Sequence, residues 1–207
     1  MDECCSAKED ELLRVQGSMH QVLIFVLVLN ALMFVLEFGA GLYSQSSALT
    51  ADSLDMLGDA VVYGVSLYAL GKSRQWRASV ALVKAGLIAV LALVALVQMV
   101  SHLIAGSTPQ APLMFWIGLI ALAANLICLT LLYRYRQQDV NMSSTFECSR
   151  NDVIANGGVL VASAGVYLLR NPWPDIVVGG IIAAILLRSS IHIGRRAWLE
   201  LHDASSH

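Results

Sequence analysis

The amino-acid sequence predicts an all-α integral membrane protein, a six-transmembrane-helix bundle with both termini cytoplasmic. Composition is the first reason: of 207 residues, 57% are hydrophobic and only 14% charged, whereas a water-soluble domain carries about a quarter charged residues. The second is segmentation into six long apolar stretches. The third is that basic residues gather at alternate connections between those stretches.

A hydrocarbon core about 30 Å thick is crossed by about 20 helical residues rising 1.5 Å each. The first such stretch runs from His20 to Tyr43, and the polar Ser44–Ser47 segment ends it. The second, Ala48 to Leu70, stops at Gly71–Arg77. The third, Ala78 to Ala105, gives way to the Gly- and Pro-bearing 106–110 segment. The fourth, Ala111 to Tyr133, is the most uniformly apolar and ends in the charged 134–141 segment. The fifth spans Ser143 to Leu169 and is broken by Arg170-Asn-Pro-Trp-Pro, after which Trp173 to Ile193 forms the sixth. The runs are too long for barrel strands and lack alternation of period two. No long linker separates them, so one transport-sized bundle is expected over residues 20–195, between a cytoplasmic tail at 1–19 and a short one at 196–207.

Orientation follows from the excess of Lys and Arg on the cytoplasmic side of membrane proteins. With the N-terminus inside, Lys8, Arg14, Lys72, Arg74, Arg77, Arg134, Arg136, Arg195 and Arg196 all fall there, and only Arg170 falls outside. The acidic start of the chain (Asp2, Glu3, Glu9, Asp10, Glu11) has neither the basic region nor the cleavage site of a signal peptide. Insertion into a cell inner membrane as a multi-pass protein is expected. The net charge of −2 and the lack of a basic cluster exclude nucleic acid as a partner. Cys4, Cys5, Cys128 and Cys148 show no disulfide spacing and are read as thiols. His20, His102 and His192 fall near span ends and are read as interfacial.

Ionisable groups within a bilayer cost several kcal/mol each and so mark function or a water-filled cavity. The first span carries Asn30 and Glu37, seven residues apart and on one face. The second carries Asp52, Asp55 and Asp59, whose offsets of three and four put all three carboxylates on one side. The fifth carries Glu147, Cys148, Asn151, Asp152 and Asn156, with Cys148 and Asp152 four apart. By helical rise, Asp55 to Asp59 lies roughly 10–17 Å from the outer end, and Asp152 roughly 25 Å. Both pairs can meet near mid-membrane and supply four ligands, three carboxylates and a thiolate, in a tetrahedral set suited to zinc-like ions. Bland readings compete: Asp152 pairs with Arg150 or Asn156, and Cys148 is a small apolar filler. Asn30 and Glu37, with Asp52, Asn151 and Asn156, are expected to support the site instead of ligating. Cys4 and Cys5 with His202 and His207 could capture soft metal at the cytoplasmic mouth, or belong to ordinary tails.

At these residues the sequence resembles the cation diffusion facilitator family. The resemblance rests on Ser47–Asp59 (Ser-Ala-Leu-Thr-Ala-Asp-Ser-Leu-Asp-Met-Leu-Gly-Asp) and on Cys148–Asn156 (Cys-Ser-Arg-Asn-Asp-Val-Ile-Ala-Asn) within six spans. It implies a transport site at Asp55, Asp59, Cys148 and Asp152, exporting a divalent cation from the cytoplasm against protons by alternating access. It also implies no enzymatic activity and no resident cofactor: zinc or cadmium and protons are cargo, and lipid and a second copy of the chain are the partners. The match looks closest to short bacterial members lacking the C-terminal cytoplasmic domain. Where family members usually begin the fifth-span pair with His or Asp, Cys148 stands here, and the His-rich loop of some members is missing. Rival readings are a membrane-embedded metal sensor or a channel. Less favoured is a metalloenzyme, which would need an open metal position and a separate acid or base.

Overall fold

The computed structural model describes residues 2–69, 74–136 and 140–205. They form six α-helices: α1 (Asp2–Ser44), α2 (Ser47–Ala69), α3 (Arg74–Ala105), α4 (Ala111–Tyr133), α5 (Val140–Leu169) and α6 (Trp173–Ser205). There is no strand among the described residues. Five helices hold stretches long and apolar enough to cross a membrane: His20–Ser44, Ala81–Ala105, Ala111–Tyr133, Ser149–Leu169 and Trp173–Leu199. Only 22–33% of each most apolar stretch is buried. Side chains such as Leu32, Val35, Val97, Ile104, Val161 and Leu168 therefore point away from the protein. A continuous apolar exterior of this kind is what a lipid-embedded bundle presents.

α2 is the exception, and its position explains why. Any 18-residue stretch of its 23 residues contains Asp52, Asp55 and Asp59, so as a lone helix in lipid it would be costly. It does not face lipid there. Residues 48–54, Met56, Gly58 and Asp59 are buried, and α2 packs against α1, α3, α5 and α6. The other close pairings are α3 with α6, α4 with α5, α1 with α4 and α5 with α6. Enclosure by helices whose outer faces are apolar lets a helix with three carboxylates occupy the centre.

The helix limits differ from the sequence expectation chiefly at the two ends. α1 begins at Asp2, well before His20, and α6 continues to Ser205, past Ile193. The expected limits were set by loss of apolarity, but helices end at breakers, not at polarity. Residues 2–16 and 195–205 contain neither Pro nor Gly and are rich in Ala, Leu, Glu, Lys and Arg.

One end of the bundle is tightly built. α1 ends in a left-handed residue, Gln45 (φ 57°), with Gln45 N donating to Leu42 O at 3.4 Å and Ser46 N to Gly41 O at 3.0 Å. That pair of bonds is the Schellman pattern. It turns the chain directly into α2, where Ser46 Oγ accepts from Leu49 N at 3.1 Å as N-cap. The same end gathers Gln110, whose N donates to Ser44 O at 3.1 Å. It also holds Asp175, the buried acid of the first turn of α6. Asp175 Oδ1 accepts from Ser46 Oγ (2.6 Å) and Ala48 N (3.1 Å), and Oδ2 accepts from Ser47 N (2.7 Å). Ser47 Oγ lies 3.2 Å from His102 Nδ1 on α3. The N-terminus of α2 is thereby held by α6 and α3. Glycine makes this approach possible: a Cβ on Gly179 would stand 2.7 Å from Ser47 C, and one on Gly41 2.6 Å from Thr50 Oγ1.

Candidate metal centre

The polar residues expected inside the membrane converge around α2. Glu37 of α1 is fully buried, Asp52 is 1% exposed, Asp59 is buried, and Asp152 and Asn156 of α5 are buried. Periodicity accounts for these faces: Asp52, Asp55 and Asp59, and likewise Asp152 and Asn156, recur at offsets of three and four. Asp152 is near enough to feel the charges of Asp59, Asp55, Asp52 and Glu37, in that order. Asp55 in turn feels Asp59 and Asp52. Carboxylates from α1, α2 and α5 thus share one electrostatic neighbourhood in the middle of the bundle.

Asp55 differs from the others in being partly exposed. It lines a cavity of about 340 Å³ between α2, α5 and α6, with Asn151, Gly158, Val178 and Ile182 among its walls. Asn151, expected to support the site, therefore faces this opening. Among the described residues, no three His, Cys, Asp or Glu side chains close on a common point as metal ligands would. Asp55, Asp59 and Asp152 are neighbours in charge without forming a ready-made ligand shell. Cys148 lies on α5 four residues before Asp152, but its side chain is outside the described residues.

Behind the three aspartates runs a hydrogen-bonded chain across the bundle. Asn125 Nδ2 of α4 donates to Asn156 Oδ1 at 3.0 Å, and Asn156 Nδ2 donates to Asp52 Oδ2. Asp52 meets the Glu37 carboxyl within hydrogen-bonding reach. Four helices, α4, α5, α2 and α1, are linked in that order. Asn30, by contrast, turns back on its own helix, donating through Nδ2 to Val26 O at 2.9 Å, and its buried Oδ1 has no partner.

Asn125 and Asp175 were not singled out in the sequence. Asn125 is the sole charged or amide side chain in the 23-residue α4, a signal that polarity alone could have raised. Asp175 sits beside Trp-Pro at a helix start, where an acid is ordinary. The auxiliary capture group is not assembled by what is described. Cys4, Cys5 and His207 fall outside the described side chains, and His202 is exposed, stacked on Trp198 with ring centroids 4.5 Å apart. Cys128 is a buried free thiol, as expected of a cysteine in an apolar run.

An apolar-faced bundle that encloses an acidic helix defines a multi-pass membrane protein built to handle cations. Residues 23–202 match the model of the cation efflux transmembrane domain, and the chain belongs to that family, the cation diffusion facilitators. It is a family of cation transporters, not of enzymes. No curated protein matches the chain significantly.

Proposed function

We propose that the protein exports a divalent transition metal, zinc or cadmium by preference, from the cytoplasm in exchange for protons. The observation that carries this reading is the enclosed α2. Its aspartates share an electrostatic neighbourhood with Asp152 of α5, and one of them, Asp55, opens onto a cavity. Asp55, Asp59, Cys148 and Asp152 are the ligands in this reading, drawn together as the ion enters and neutralises their mutual repulsion. A thiolate among carboxylates favours a soft or borderline ion. Metal ligands must be deprotonated, so metal and protons compete for the same atoms, and that competition couples their movements without ATP.

In this reading α2 crosses the membrane as the sixth span, shielded by its neighbours, and both termini are cytoplasmic, as the basic residues direct. The connections at Ser44–Ser47, 106–110 and 170–172 then face outward. A homodimer in the cell inner membrane is the expected assembly. Alternating access would open the site in turn to either side, with the α2–α5–α6 cavity as one approach to Asp55.

Reconstitution in liposomes tests the proposal, with a trapped zinc-sensitive dye and an imposed pH gradient. Gradient-driven zinc or cadmium uptake, lost in Asp55→Ala or Asp59→Ala while insertion is preserved, supports it. Flux indifferent to the gradient would point to a channel, binding without flux to a sensor, and a fully active D55A/D59A double variant would remove the site assignment.

A further inference from the structure

We propose that Glu37 and Asp52 form a proton-binding pair beside the metal centre, holding one proton between two carboxyls and surrendering it when metal binds. The exchange with metal rests on the transporter reading above; the shared proton does not.

Glu37 is fully buried, and no donor reaches either of its carboxyl oxygens. What stands within hydrogen-bonding reach is the Asp52 carboxyl, 1% exposed, on the neighbouring helix. An ionised carboxylate only accepts hydrogen bonds, so two of them side by side have nothing to exchange. Two bare negative charges in so dry a place would also repel without compensation. A single proton between them removes both difficulties, converting the repulsion into a short O–H···O bond with a charged acceptor.

The surrounding chain indicates which carboxyl carries it. Asn125 Nδ2 donates to Asn156 Oδ1 at 3.0 Å, so Asn156 presents its own Nδ2 to Asp52 Oδ2. Asp52 thus receives a donor already and is the better-stabilised anion. Glu37, with no other partner, is the group left to hold the proton and donate it to Asp52.

The pair is set apart from the ligands. Glu37 is on α1, which carries none of the four, and Asp52 is three residues before Asp55. It is nevertheless within their field. The titratable groups that sense it are Asp55 from α2 and Asp152 from α5, and Asp59 adjoins both of these. Asp152 feels both Asp52 and Glu37, and Asp55 feels Asp52. A dication arriving among these carboxylates repels a proton held nearby and stabilises the carboxylates that remain. Its departure restores uncompensated negative charge, and the pair takes a proton back. The proton leaves Glu37 Oε as H⁺ and the electron pair stays on the oxygen, so the pair ends as two carboxylates whose added negative charge is balanced by the field of the nearby dication. This supplies one exchanged proton beyond those displaced from the ligands.

Two measurements on the full chain test it. In infrared spectra of the metal-free protein, a carbonyl stretch from a buried protonated carboxyl is expected in the wild type and lost in Glu37→Gln. The amide introduced by that substitution can still donate to Asp52 but carries no titratable proton. In a weakly buffered detergent solution with a pH dye, zinc binding by E37Q should release one proton fewer per ion than binding by the wild type. Should E37Q not fold, Asp52→Asn carries the same test, because its amide can accept from Asn156 and donate to Glu37. An unchanged carbonyl region in both variants, or an unchanged proton count, overturns the pair. If the wild type binds and moves no metal, the transporter reading fails, while the infrared band still decides whether the proton is shared.

Discussion

Replacing Asp175 by alanine should weaken the protein more than any other single change at the tightly built end of the bundle. Asp175 accepts three hydrogen bonds, from Ser46 Oγ at 2.6 Å, Ser47 N at 2.7 Å and Ala48 N at 3.1 Å. The Ser46 hydroxyl can turn elsewhere, since it also serves Leu49 N as an acceptor. The two backbone N–H groups cannot. They belong to the first turn of α2, have no partner within their own helix, and are buried with Ser47 and Ala48. Each donor stranded in this way costs about 1–3 kcal/mol. Partial access of water at the end of the bundle moderates the sum, so about 3 kcal/mol is expected for the pair. At roughly 2–4 °C per kcal/mol for a chain of this size, the midpoint of thermal unfolding should fall by about 10 °C. The readout is tryptophan fluorescence in detergent, the chain having four tryptophans. Asp175→Asn keeps one acceptor oxygen and should lose about half as much. A D175A midpoint within about 2 °C of the wild type would refute the reasoning and mean that water caps α2 as well as Asp175 does.

Gly179→Ala should destabilise by about 1–3 kcal/mol, because its Cβ would lie 2.7 Å from backbone atom Ser47 C, which no rotamer change relieves; unfolding in detergent measures this, and Gly39→Ala, whose Cβ meets nothing within 4 Å, is the control. Asn125→Leu leaves the buried Asn156 Oδ1 without its donor and should cost about 1–3 kcal/mol, read from the same melting curve. Cys128 is wholly buried and should resist a membrane-permeant maleimide until the protein is unfolded, as buried structural thiols do; labelling of the native protein at that residue, located by mass spectrometry, would contradict its placement.

Much of the fold was legible because membrane helices are specified locally. Twenty apolar residues and a terminating Gly, Pro or charge suffice to mark a span, and α4 matches its expected limits, Ala111 and Tyr133, residue for residue. Where charge continued a helix beyond the apolar core, at 2–19 and 194–205, hydropathy was the wrong ruler, since backbone hydrogen bonding does not depend on it. The acids of the site were legible for the same local reason. Three carboxylates at offsets of three and four must share a helix face whatever surrounds them.

By itself, then, the sequence determined six helices, their order, and which faces carry Asp52, Asp55, Asp59 and Asp152. The tertiary structure decided which helix each face meets. That Asp52 lies between Glu37 and Asn156, 104 residues further along the chain, and that Asp175 reaches back across 128 residues to cap α2, follows from helix packing. Periodicity within one helix carries no record of its neighbour. Contacts between distant helices depend on where small residues such as Gly41 and Gly179 allow backbones to approach. The same packing makes the acidic α2 tolerable at all, because only its four enclosing neighbours keep its carboxylates out of lipid.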